Sequence, residues 1–150
     1  MTRRWLAVAL CSAMLSAGCF EFFNQTNTNP NPTIQFLGGT WMSSTSNGAA
    51  LLNSCTNFKW IVTEQTSATV AGNFTATCFG VLQVAGNAHG TISGNTINWT
   101  AAALANGGGV SNCAVTLNGS MTIASDQISV PYTGTTCLGP VSGTEILKKS

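Results

Sequence analysis

Gly90-Thr91-Ile92-Ser93-Gly94-Asn95-Thr96-Ile97-Asn98-Trp99 holds two short alternating runs around one turn. Strand side chains point to opposite faces with a period of two, so Ile92, Ile97 and Trp99 share one face. Gly94-Asn95 can take the positive φ that a tight hairpin turn needs. The stretch therefore predicts an antiparallel hairpin with one apolar face. What the chain folds into depends on how often this pattern recurs.

It recurs on both sides. Phe58, Trp60 and Val62 share one face, and Val70, Gly72, Phe74, Ala76 and Cys78 alternate with Ala71, Asn73, Thr75 and Thr77. Val115, Leu117, Gly119, Met121 and Ile123 share a face; Ser125-Asp126 turns the chain, and Ile128, Val130 and Tyr132 return. Gly39 to Met42 opens a first strand, and Gly143 to Lys148 makes a last one. Ala49-Ala50-Leu51-Leu52 fits either one helical turn or a loop plug. Ala101 to Ala105, ahead of Gly107-Gly108-Gly109, fits a helical turn followed by a flexible loop. Pro131 interrupts a strand, so its position should face an edge, a bulge or a strand start. Turns fall roughly every 8–12 residues and no long segment keeps a helical period, which predicts an all-β fold. Short links between successive hairpins favour a small antiparallel up-and-down barrel of about eight strands. A Greek-key β-sandwich is the alternative.

Ahead of the strands, the chain reads as an address and a tether. Arg3 and Arg4 precede an apolar run from Trp5 to Leu15, about half the ~20 residues of a spanning helix. Asn24 to Thr33 has no apolar residue to bury, and its two prolines favour extended backbone. The expected organisation is a removable leader over 1–18, a tether over 19–33 and a β domain over 34–150.

Leu15-Ser16-Ala17-Gly18-Cys19 resembles the lipobox of bacterial lipoproteins, with Ser16 where Leu is usual and Leu15 one place further out. The resemblance implies cleavage before Cys19, attachment of diacylglycerol to its thiol, and acylation (palmitate or similar) of the new amine. The sorting rule of such proteins reads the next residue, and Phe20 in place of Asp implies the outer membrane. The resemblance thus makes the membrane a partner through a lipid anchor. Two or three acyl chains at ~0.8 kcal/mol per buried CH₂ would make release negligible.

Charged residues form 6% of the chain, against ~25% in typical globular proteins. Lys59, Lys148 and Lys149 face Glu21, Glu64, Asp126 and Glu145 after the leader, a balance of 3 − 4 = −1. With no basic cluster evident in the sequence, nucleic acid is not an expected partner. Of six cysteines, Cys11 leaves with the leader and Cys19 carries lipid, so four remain. An even number outside the cytoplasm reads as disulfides. Metal binding is the rival, but no C-x-x-C occurs and His89 is the one histidine, so no metal and no cofactor are expected. Phe74 to Gly80 weakly echoes Tyr132 to Gly139. Cys55 and Cys113 precede the cysteines of these echoes by 23 and 24 positions, each pair bracketing a strand-turn-strand unit. Antiparallel pairing brings such ends together, which predicts Cys55–Cys78 and Cys113–Cys137 out of three possible pairings.

No catalytic constellation is legible. His89 has no nucleophile and acid spaced around it, and neither G-x-S-x-G nor H-E-x-x-H occurs. Trp41, Trp60, Trp99, Phe58, Phe74 and Tyr132 fall on the in-facing register and read as core. In a hollow barrel Trp60, Trp99, Tyr132 and Phe74 would line a ligand site. Gly39-Thr40-Trp41 resembles the G-x-W that opens lipocalin-like and avidin-like barrels, and the resemblance implies that Trp41 plugs one end. The family's T-D-Y and its arginine over that tryptophan are absent. The expected function is a membrane-anchored structural or interaction module at the cell envelope. The alternative is a lipocalin-like binder of a small apolar or sugar-like ligand.

Overall fold

The computed structural model describes residues 35–44 and 53–150, all within the unit Asn31–Ser150. The leader, Cys19, the tether and Ala49 to Leu52 lie outside the described residues. Strands run β1 Gly39–Ser43, β2 Cys55–Gln65, β3 Thr69–Cys78, β4 Leu82–Ser93, β5 Thr96–Gly107, β6 Val110–Ile123, β7 Gln127–Thr136 and β8 Gly139–Lys149. Each pairs antiparallel with the next, and β1 pairs with β8, closing a barrel in simple sequence order. This is the expected eight-stranded up-and-down barrel. A Greek key would need a strand to pair out of order.

The 90–99 stretch is the β4–β5 hairpin. Its register runs unshifted from Ser93↔Thr96 to Gln83↔Asn106, and Gly94 has φ +60° at the turn. Ala101 to Ala105 form no helical turn, contrary to expectation; they are strand, bonded to β4 on one side and β6 on the other. A central strand with ladders on both sides overrides the helix preference of alanine. The glycine run supplies the β5–β6 turn, with positive φ at Gly107, Gly108 and Gly109. Strand β8 starts at Gly139, earlier than expected, because β7 offers partners out to Thr136. The β6–β7 ladder lapses between Asn118↔Thr133 and Thr122↔Ser129, and Pro131, which has no N–H to give, sits in that gap.

The inward register is apolar and the outward register is mostly Thr, Asn, Ser and Ala. A membrane-spanning barrel has the opposite polarity, with its apolar band outside. Inside, large rings stand beside glycine across the ladder. Trp99 pairs with Gly90 and Gly119, Phe74 with Gly86, and Tyr132 with Gly143. A β-carbon on Gly143 would stand 2.6 Å from the Tyr132 hydroxyl oxygen, so the ring occupies space that only glycine leaves. Alternating large and small residues fill a small barrel.

One end is closed by the segment before β1. Leu37 and Trp41 are fully buried there. Trp41 Nε1 donates to Leu37 O at 2.7 Å, so the ring is buried without an orphaned N–H. Gln65 straps the segment down: its Oε1 accepts from Leu37 N at 2.7 Å and its Nε2 donates to Gln35 O at 3.0 Å. Lys149 Nζ lies 5.5 Å from the Trp41 ring, a cation over the indole drawn from the last strand. Replacing Trp41 with Ala empties this end. The expected loss is about 3–5 kcal/mol of unfolding free energy, read from urea denaturation.

Candidate functional site

The barrel interior is the first candidate. Phe58, Trp60, Phe74, Trp99, Met121 and Leu147 are among the side chains around its central void. The space open to the centre of a water molecule there is only about 20 Å³, roughly one water. Ligand pockets are usually about 300–1,000 Å³. Among the described residues, the side chains around this void form a packed core. Three of the four candidate lining residues, Trp60, Trp99 and Phe74, do meet around the void; Tyr132 does not. Its hydroxyl accepts from Cys55 N at 2.6 Å and donates to Cys55 O at 2.7 Å, and its ring packs 5.1 Å from that of Phe58. Burial first, and then the Glu145 charge, push the Tyr132 hydroxyl pKa up. Among the described residues, the Nε1 groups of Trp60 and Trp99 are buried without a hydrogen-bond partner. Trp99 Nε1 lies 3.1 Å from where a β-carbon on Gly119 would stand.

Glu145 is the second candidate. It is 6% exposed, on the inward register of β8 with Val141 and Leu147. Ser43 Oγ donates to Glu145 Oε2 at 2.5 Å and accepts from Phe58 N at 2.8 Å. The serine therefore ties β1, β2 and β8 together at one point. Burial raises the Glu145 pKa, and the Ser43 bond opposes that shift. The sequence carried a signal for this site: Val141, Gly143, Glu145 and Leu147 alternate, placing a carboxylate in an apolar file.

His89 is outside the barrel. Its Nε2 is 3.0 Å from Thr100 Oγ1 on the neighbouring strand, and both residues are exposed. Glu64 lines the same shallow groove, but no hydrogen bond between it and His89 is present among the described residues. The His–Thr pair is a cross-strand contact between β4 and β5. No group of three or more His, Cys, Asp or Glu able to hold a metal occurs among the described residues.

The four domain cysteines form Cys55–Cys78 and Cys113–Cys137. Both bonds sit at the rim opposite Trp41, one joining β2 to β3 and the other joining β6 to Cys137, just past the end of β7. Beside each, the echoed segments lead into turns at that rim, with positive φ at Phe79 and Gly80 in one and at Gly139 in the other.

Two measurements check these assignments. Replacing Cys113 and Cys137 together by Ser frees a loop spanning 24 positions. Loop-closure entropy then predicts a loss of about 3 kcal/mol in unfolding free energy, visible as a lower urea midpoint. For Glu145, the folded pKa lies above the unfolded one, so the folded state holds more protons in the interval between them. Its contribution is fully present below the unfolded pKa and is lost as pH rises through the raised folded value. Glu145→Gln removes that dependence. Urea midpoints should fall with rising pH above the ordinary Glu range in the parent, and fall less in the variant.

No protein-family model, no curated protein and no solved structure matches this chain.

Proposed function

We propose that this chain is an exported lipoprotein, held at the outer membrane by acyl chains on Cys19, whose barrel is a structural or interaction module of the cell envelope. The filled interior carries the choice of module over binder, because about 20 Å³ cannot hold a sugar or a lipid. Two disulfides support an oxidising compartment. The lipobox-like Leu15 to Cys19 and the Asn/Thr/Pro tether supply the anchor in this reading.

Mass spectrometry of the protein extracted from native membranes tests the anchor. The N-terminal peptide should begin at Cys19 and carry diacylglycerol plus an amide-linked acyl chain. Cys19→Ala should abolish incorporation of labelled palmitate. An unmodified Cys19 in the native protein overturns the proposal.

A further inference from the structure

Charge on this barrel is confined to a few strands. Strands β3 to β7 contain no Lys, Arg, Asp or Glu at all. All three lysines after the leader lie on β2 and β8, which are the two neighbours of β1. The register brings two of them to one exposed residue: Met42 pairs with Lys59 on one side and with Lys148 on the other. The third, Lys149, donates through Nζ to Phe36 O at 3.3 Å and stands 5.2 Å from the Phe36 ring centroid.

Apolar side chains are exposed among these cations. Phe36 is 72% exposed, Met42 44% and Ile61 37%. Ile61 pairs with Thr40, two residues before Met42 on β1. No ion pair neutralises any of the three lysines among the described residues. Glu64, exposed further along β2, is the one acid on these three strands that faces solvent, since Glu145 is buried. The patch thus has three positive charges and one negative, on a chain whose leader-free balance is −1.

We propose that the β8–β1–β2 wall docks on an anionic phospholipid surface, with Lys59 and Lys148 on phosphate headgroups and Phe36 and Met42 in the interfacial layer. Lysines gain about 1 kcal/mol each near such a surface, and aromatic rings favour the headgroup level. The covalent path supports this occupant: in sequence the tether ends at Thr33, three residues before Phe36. This inference rests on the lipid anchor proposed above for its biological setting, because a tethered domain meets the bilayer at high local concentration. The acyl chains would then hold the chain at the membrane, and the patch would set which wall of the barrel meets it.

The test leaves the acyl group out, so that patch and anchor are judged apart. Every strand ladder and the whole described core lie within residues 37–149, so the domain carries its own fold. The oxidised chain from Phe20 to Ser150 is mixed with vesicles of equimolar phosphatidylglycerol and phosphatidylcholine, or of phosphatidylcholine alone, and sedimented. Binding is expected to the anionic vesicles only and to weaken with added salt. Lys59→Gln and Lys148→Gln should each lower the partition coefficient about fivefold. Glu64→Gln should raise it, and Met42→Ser should lower it at all salt concentrations. Equal partitioning into both vesicle types, no binding to either, or lysine variants that bind like the parent would overturn the docking surface while leaving the anchor at Cys19 intact. An unmodified Cys19 in the native protein would in turn leave the vesicle result standing.

Discussion

The seam between β1 and β8 is what turns a meander into a barrel. It is short: Trp41↔Lys149, Met42↔Lys148 and Ser43↔Leu147 are its register pairs. A closed barrel has no exposed edge, and an open one would present two. The seam is therefore reinforced by side chains as well as backbone. Ser43 links Glu145 to the Phe58 amide, and Lys149 spans Phe36 and Trp41. Both reinforcements cross between elements far apart in sequence, which is where loop-closure entropy is greatest.

Closure also fixes what the interior can be. Eight strands enclose just enough space for side chains or one small ligand. Here the space is taken by aromatic rings set against glycines, leaving roughly one water's worth. The glycines explain how the rings of Trp99, Phe74 and Tyr132 fit without forcing the strands apart. Glu145 is the one buried acid among the described residues, and its hydrogen bonding serves the seam.

Much of this was legible in the residues. Period-two alternation located the strands, and Gly94-Asn95 located the central turn. The cysteine pairs follow from antiparallel geometry, because residues at the two ends of a hairpin must meet. Ala101 to Ala105 misled, since alanine prefers helix in isolation and only the ladders on both sides of β5 decide otherwise. Tyr132 faces inward as its register requires, yet it stands off the void because its hydroxyl is drawn to the Cys55 backbone. The grouping of Lys59, Met42 and Lys148 could not be seen along the chain. It exists only because the first strand lies between the second and the last, and closure is a property of the whole sheet.

That closure puts the start of β1 and the end of β8 at a single rim, with Ser150 N donating to Thr40 O at 2.9 Å. A ring whose two ends meet has no privileged first strand. A short linker from residue 150 to residue 35, with a new break at Gly108-Gly109, would keep all eight ladders and both cystines. Such a permuted chain would start and finish at the disulfide rim, reversing which end of the barrel faces anything attached to it.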